Sequence, residues 1–240
     1  MIWRVLRWEL VATEQDAIPK MAENPPFTMV NGNLALVGSE KLVKSRQRAR
    51  DHGEVFTPAF LVEEMLDLVK DEAERIDSRF LEPACGSGNF LAPVLLRKLA
   101  TVKARYGRSK FENRHQALLA LMSIYGIELL EDNVEECRER LLGLVAQYLK
   151  TAEGDPFYEA ARFVLSVNIV HGDALAMQTV GGDPIVFSEW SYLGMSRYQR
   201  REFLYVDLTR RNDSGGVVAD HDLLAPLRHH PPLRVKDMAL

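Results

Sequence analysis

The sequence is poor in cysteine and close to neutral in charge. Its 240 residues contain two cysteines, Cys85 and Cys137, so we expect neither a disulfide framework nor a cysteine-rich metal site. The 30 Lys and Arg residues are outnumbered by 34 Asp and Glu residues, which excludes a chain-wide positive field for holding nucleic acid. Any contact with nucleic acid must therefore come from a local patch.

The N-terminus also lacks a long apolar run. The segment MIWRVLRWEL contains two arginines and a glutamate, and no small-residue cleavage site follows it. This pattern predicts neither a signal peptide nor a membrane anchor. Because so few cysteines are typical of a reducing compartment, we expect a cytoplasmic protein that has no membrane partner.

The chain is predicted to have three parts. Residues 1–40 show no regular apolar period and are expected to form a loosely organised N-terminal extension. Residues 41–190 are expected to form the main domain, and residues 191–240 a polar tail whose strands complete its sheet. The main domain begins with the densest positive patch of the sequence, residues 41–50, a pattern typical of a solvated helix face.

Strand and helix patterns alternate through the main domain. Thr57 and Pro58 are typical of a helix start, as N-cap and first helical residue. Helices are predicted at 113–121, at 131–149 and up to Ser166, and strands from Phe80, within 123–130, at 168–172 and at 184–190. Weaker strand patterns follow at 202–208, 216–220 and 233–238. This alternation predicts an α/β fold with a mostly parallel sheet covered by helices.

A glycine-rich turn, EPACGSGNF at 82–90, joins the first of these strands to a helix. Gly86 and Gly88 allow the backbone to approach a ligand closely, and the helix that follows offers unpaired N–H groups. A dinucleotide motif would need a third glycine at Leu91, and Glu82 would repel a pyrophosphate. The turn therefore fits an amino-acid-bearing nucleoside better, although an ordinary tight strand-to-helix connection would have the same pattern.

Residues 80–91 resemble motif I of the N6-adenine DNA methyltransferases of restriction-modification systems, especially type I modification subunits. The upstream segment HGEVFTP at 52–58 is similar to the motif X of that family. The resemblance covers about residues 45–190. It implies a Rossmann-like methyltransferase fold that binds S-adenosylmethionine, and it leaves open that the sheet stops after a fourth strand. The cofactor site that it implies consists of Phe56, Thr57, Pro58, Glu82, Pro83, Ala84, Gly86, Gly88, Asn89, Phe90, Glu128, Asp173 and Ala174.

Two of these residues are acids that end predicted strands. In the family, an acid at the position of Glu128 accepts hydrogen bonds from both ribose hydroxyls, a task that suits a carboxylate. An acid at the position of Asp173 receives the adenine amino group, and Ala174 or Leu175 would pack near the ring. A solvated acid at a strand end is the alternative interpretation of each.

The family's catalytic motif, Asn/Asp-Pro-Pro-aromatic, follows the fourth strand and makes the amine lone pair of a flipped adenine available. At that place the chain has Ser188, Glu189 and Trp190, which are therefore the predicted catalytic residues. Trp190 would stack on the base, and Ser188 or Glu189 would accept an amino hydrogen bond. The alternative is that Trp190 is a core aromatic residue and the site is inactive.

A second segment, Asn24-Pro25-Pro26-Phe27, matches the catalytic motif letter for letter but precedes motif X. Family members with a reordered chain place several strands between the two motifs, whereas 26 residues lie between Phe27 and Glu54 here. A Pro-Pro turn in the N-terminal extension is the competing interpretation.

The function implied by the resemblance is N6 methylation of adenine in DNA within a restriction-modification or related defence system. The expected partners are DNA and a specificity or other subunit, because no target-recognition domain is visible in the sequence. A catalytically silent subunit that binds S-adenosylmethionine as a sensor or scaffold is the main alternative, and a methyltransferase for proteins or small molecules is a third. No metal is expected, since His229 and His230 have no partner at a metal-ligand spacing.

Overall fold

A computed structural model of the chain describes residues 4–5, 44–45, 47–48, 50, 57–213 and 225–238. The chain divides into two compact units, one formed by residues 7–58 and the other by residues 1–6 together with 59–240. In the first unit, the hydroxyl of Ser45 accepts a hydrogen bond of 3.1 Å from the backbone N–H of Arg48. Phe56 and the segment Asn24 to Phe27 lie outside the described residues.

The larger unit contains both helices and strands. The strands are β1 (Arg4–Val5), β2 (Phe80–Glu82), β3 (Ile124–Glu128), β4 (Ile169–Asp173), β5 (Gln178–Thr179), β6 (Val186–Gly194), β7 (Arg197–Leu204), β8 (Arg228–His229) and β9 (Leu233–Arg234). The helices are α1 (Ala59–Leu68), α2 (Lys70–Ala73), α3 (Leu91–Tyr106), α4 (Lys110–Met122), α5 (Glu131–Leu149), α6 (Pro156–Asn168) and α7 (Tyr205–Asp213). A short 3₁₀ helix spans Val235–Asp237.

Strands β1 to β4 form a parallel sheet in chain order, and β5 adds to β4 in the antiparallel direction. The register pairs Phe80 with Ile124 and Gly126 with Ile169. Every residue of β2 and β3 is buried, as expected for parallel strands that are covered on both faces. The predicted α/β class and the mostly parallel sheet are therefore confirmed.

Local capping explains where the helices begin. Helix α5 has the predicted bounds, whereas α4 begins earlier than predicted because Ser109 caps it by accepting a bond of 3.2 Å from the N–H of Glu112. Asp155 caps α6 by accepting from the N–H of Phe157 at 2.8 Å, with Pro156 as the first helical residue.

The segment after β5 differs from the prediction. The sequence predicts a fourth strand of the main sheet at 184–190, with residues 191–240 completing that sheet. Instead β6 forms an antiparallel hairpin with β7, and β8 and β9 pair with β7, so these strands form a second sheet. The hairpin closes through Gly194, Met195 and Ser196, which all have positive φ angles (80°, 50° and 62°). A tight turn of this kind joins antiparallel strands, because parallel ones need a long crossover.

A buried lysine connects α3 to the segment that leads into β2. Lys98 is fully buried, and its ammonium group donates to the backbone carbonyls of Arg75 (2.7 Å), Ile76 (3.2 Å) and Ser78 (2.5 Å). Burial lowers the pKa of Lys98 to about 7. These bonds fix the position of the helix that follows the glycine-rich turn relative to the strand that precedes it.

Candidate functional site

Three acidic residues end three adjacent parallel strands. Glu82 ends β2, Glu128 ends β3 and Asp173 ends β4. The register places Glu82 beside Gly126 and Glu128 beside His171. Because neighbouring parallel strands end at the same sheet edge, the structure brings all three predicted acids together at the carboxyl edge, where ligands bind in open α/β sheets.

The glycine-rich turn crosses this edge and is hydrogen-bonded to β3. The N–H of Cys85 donates to the carbonyl of Ile127 at 3.0 Å, and the N–H of Gly88 donates to the carbonyl of Cys85 at 2.9 Å. Gly86 (φ 52°) and Gly88 (φ 82°) have the left-handed conformation that glycine adopts at least cost. The turn is therefore a fixed loop whose shape depends on its glycines.

Glu128 has a contact that the sequence did not reveal. Its Oε2 atom accepts from the N–H of Gly86 at 2.8 Å, and its Oε1 atom accepts from the N–H of Leu130 at 2.9 Å. The carboxylate thus holds both the turn and the residue before α5. A carboxylate has about four acceptor positions, so two remain for ribose hydroxyls.

The two cysteines pack beneath the turn. A hydrogen bond to Cys137, together with burial, raises the pKa of the Cys85 thiol. A Cβ atom at Gly88 would lie 2.9 Å from the sulfur of Cys137, and one at Gly126 would lie 2.7 Å from the sulfur of Cys85. The cysteines therefore act as packing groups that require glycine opposite them, and Cys137 is a determinant of the turn that sequence reasoning missed.

The other predicted residues of the turn have surface or core positions. Asn89 accepts a hydrogen bond of 2.5 Å from Arg140, and the N–H of Ala84 donates to Glu82 at 3.4 Å. Phe90 is buried in the main core, whereas Pro83 is partly exposed. The turn is thereby supported at both ends.

Asp173 organises the chain after β4. Its Oδ1 atom accepts from the N–H groups of Leu175 at 2.8 Å and Ala176 at 3.1 Å. Ala174 packs against the core cluster on that side of the sheet. Asp173 is half-buried, so its carboxylate can bond to the backbone and still be accessible to a ligand.

Two large apolar side chains are exposed directly after these acids. Leu129 follows Glu128 and is 51% exposed, and Leu175 lies two residues after Asp173 and is 94% exposed. Apolar side chains beside a few polar groups are typical of small-molecule sites. Leu129 was missed by sequence reasoning, although an apolar residue just after an acid at a strand end is a usable signal.

The residues at the edge fit S-adenosylmethionine. Three carboxylates suit an ammonium group and hydroxyl donors and would repel a pyrophosphate. The left-handed glycines allow close backbone approach, and Leu129 and Leu175 offer apolar surface for a base. Thr57 and Pro58 precede α1, are partly exposed and belong to the other unit of the chain.

The predicted catalytic residues lie in β6 and are almost fully buried. The exposed fractions are 2% for Ser188, 4% for Glu189 and 5% for Trp190. The hydroxyl of Ser188 accepts from Arg200 Nε at 2.8 Å, and the indole N–H of Trp190 donates to Asn168 at 3.3 Å. In this arrangement none of the three side chains is presented to a base.

Glu189 lies between two arginines. Its carboxylate forms ion pairs with Arg79, which is also buried, and with Arg201. Arg201 lies directly opposite Glu189 in the register of β6 and β7. These contacts join the second sheet to the residue before β2, and they give Glu189 a structural role.

Replacing Glu128 with alanine is expected to weaken S-adenosylmethionine binding by about 100-fold, because the turn loses the acceptor for Gly86 and the ligand loses its hydroxyl acceptor. Glu128→Gln keeps one acceptor oxygen and should lose less. Calorimetric titration of both variants measures the effect. As a control, Glu139→Ala removes an exposed carboxylate from α5 and should bind as the native chain does. Equal affinity in Glu128→Ala and Glu139→Ala would contradict the assignment.

Comparison with protein families gives one finding. Residues 40–142 match the family model described as N-6 DNA Methylase, and this range includes the glycine-rich turn and Glu128. Comparison with curated proteins and with solved structures gave no match. Among the described residues, no helix has the length and apolar character needed to cross a membrane. Residues 40–142 of the chain are therefore similar to the N-6 DNA methylase family.

Proposed function

We propose that this chain binds S-adenosylmethionine at the carboxyl edge of the parallel sheet and methylates the N6 atom of adenine in DNA, within a restriction-modification or related defence system. One observation carries the proposal. The glycine-rich turn is held by Glu128 inside the segment that matches the N-6 DNA methylase family. The proposed partners are duplex DNA and a specificity or other subunit that selects the target.

The residues at the edge would position the methyl donor. Glu82 would face the ammonium group, Glu128 the ribose hydroxyls, and Asp173 the adenine amino group of the cofactor. Oδ1 of Asp173 already accepts two backbone bonds, whereas Oδ2 has no partner among the described residues. S-adenosylmethionine supplies an electrophilic methyl group when bound. The adenine amine is itself the nucleophile that attacks the methyl group. The chain therefore needs to orient this amine and does not need to supply a nucleophilic side chain.

The burial of Ser188, Glu189 and Trp190 favours a second candidate function. The chain would bind S-adenosylmethionine without transferring its methyl group, as a sensor or scaffold in the same complex. Within the first function, the segment Asn24 to Phe27 is the candidate for contact with the flipped base, because it has the residue types of the family's motif.

Calorimetric titration of S-adenosylmethionine and tritiated-methyl transfer to unmethylated duplex DNA test the two functions together. The native chain is expected to bind the cofactor, and Gly86→Val to lose binding, because Gly86 has a positive φ. Gly182→Val is the matched control, since Gly182 has a φ of 87° and open space around it.

The outcomes separate the candidates. Transfer by the native chain that is lost in Asn24→Ala supports methylation through the Asn24 segment. Cofactor binding without transfer, with partner subunits added, overturns methylation and supports the sensor or scaffold. If neither the native chain nor Gly182→Val binds the cofactor, both functions are overturned.

A further inference from the structure

A cleft of about 1050 Å³ has none of the predicted cofactor-site residues in its lining. It is lined by the first turns of α4 and α6, by the β6–β7 turn and by residues 234–236. Its charged lining residues are the cations Lys110, Arg114, Arg234 and Lys236 and the carboxylates Glu112 and Asp155. The cleft therefore has an excess of positive charge in a chain whose total charge is negative.

Of these cations, Arg114 forms an ion pair with a carboxylate of the cleft. Asp155 accepts two bonds, of 2.8 and 2.9 Å, from Arg114, which also stacks on the ring of Phe157 at 4.2 Å. Within the described part of the chain, Lys110, Arg234 and Lys236 form no ion pair. Apart from the Arg114–Asp155 pair, the lining therefore has these three cations and one carboxylate, Glu112, so the cleft retains two more positive than negative charges.

A pair of like charges on neighbouring strands gives an independent indication of an anionic ligand. Arg197 on β7 lies directly opposite Arg234 on β9, and both side chains are exposed. Like charges directly opposite each other destabilise a sheet. An anion that contacts both guanidinium groups removes this repulsion, and the planar guanidinium suits the oxygens of a phosphate.

The β6–β7 turn forms a preorganised wall of the cleft. Tyr198 donates its hydroxyl hydrogen to the carbonyl of His115 (3.0 Å), so Nδ1 of the His115 ring donates to that hydroxyl (2.9 Å). Nε2 is then the acceptor for the hydroxyl of Ser196 (3.0 Å). Burial, together with the charge of Arg114, lowers the pKa of His115 to about 4, so its ring is neutral at pH 7. These bonds hold the left-handed turn at Met195 and Ser196 in place.

We propose that this cleft binds the phosphate backbone of duplex DNA through Arg234 and Lys236 in its lining and through Arg197, which lies beside Arg234 on β7, with Lys110 on α4. The identity of the polyanion rests on the proposed function, because the family acts on DNA. The rim also carries apolar side chains, with Phe111 51% exposed and Met195 82% exposed, which suit the deoxyribose faces between phosphates. The cleft is thus the local positive patch that a chain of net negative charge needs in order to contact DNA.

The test compares two double variants that remove the same charge. Arg234→Gln with Lys236→Gln neutralises the cleft, and Lys70→Gln with Lys103→Gln neutralises two exposed lysines outside it. Fluorescence anisotropy with a labelled 30-base-pair duplex is measured between 50 and 200 mM salt. The cleft variant is expected to bind the duplex about tenfold more weakly. The slope of log association constant against log salt concentration should become less steep by about 2. The control variant should behave as the native chain.

Cofactor titration and the melting temperature of each variant distinguish a lost contact from a lost fold. Unchanged duplex affinity and salt slope in the cleft variant, with cofactor binding intact, would overturn the proposal. Tighter binding of labelled polyglutamate than of the duplex by the native chain would also overturn it, in favour of an acidic protein partner. Failure of the proposed function would be a separate result, because the native chain would then show no cofactor binding in the titration.

Discussion

Replacing Gly88 with alanine is expected to remove measurable S-adenosylmethionine binding and to lower the free energy of unfolding by about 3 kcal/mol. Two costs add at this position. Alanine at a φ of 82° is strained by about 1 kcal/mol, and the new Cβ atom would lie 2.9 Å from the sulfur of Cys137. Because the turn cannot move without breaking the bond from Gly86 to Glu128, the clash deforms the site itself.

Gly154→Ala separates the two costs, because Gly154 has a φ of 87° and no atom within 4 Å of the added Cβ. It should lose about 1 kcal/mol and bind the cofactor normally. Adding Cys137→Ala to Gly88→Ala removes the sulfur and leaves backbone and Cβ atoms of residue 137 at 3.6 Å and beyond. Part of the binding should then return. Denaturant unfolding and calorimetry measure these effects, and equal losses in Gly88→Ala and Gly154→Ala would contradict the clash.

The parallel half of the fold was predictable because its signals are local. Helix α5 and the strands ending at Glu128 and Asp173 follow from apolar period and from the acids that interrupt it. Once those strands are parallel neighbours, their carboxyl ends must meet at one edge, so the grouping of the acids required no knowledge of side-chain contacts.

The second sheet was not predictable in the same way. An apolar run such as the one at 184–190 does not show whether its partner is parallel or antiparallel. The decisive feature is the hairpin turn, where Met195 and Ser196 adopt the left-handed conformation that sequence rules assign to glycine or asparagine. The hydrogen bonds to His115 that hold this turn join residues about 80 positions apart.

The contacts that shape the candidate site could not be predicted from local sequence patterns either. The bond from Gly86 to Glu128 spans 42 positions, and the contact between Gly88 and Cys137 depends on how α5 packs against the turn. The sequence predicts which residue types line the candidate site. It does not indicate that Glu128, a predicted ligand-binding residue, also holds the glycine-rich turn in place, because the contact between Glu128 and the turn depends on tertiary packing.

Replacing Glu189 with leucine is expected to destabilise the fold by about 3 to 5 kcal/mol. Glu189 is 4% exposed, and its carboxylate is the ion-pair partner of Arg79, whose side chain is 6% exposed. Its removal leaves a buried guanidinium without its carboxylate, which costs far more than the loss of a surface ion pair. Glu139→Leu, at an exposed position on α5, is the control and should change stability by less than about 0.5 kcal/mol.

A compensating variant separates a structural role of Glu189 from a catalytic one. Arg79→Met combined with Glu189→Leu removes both buried charges and should recover most of the stability, because an apolar pair of similar volume is often as stable as a buried ion pair. Denaturant unfolding measures the recovery, and methyl transfer is then assayed in the recovered double variant. If Glu189 only supports the second sheet, transfer by the double variant should equal native transfer. If Glu189 accepts the adenine amino hydrogen, transfer should be lost while folding and cofactor binding return, and the structural assignment made from its burial would be wrong.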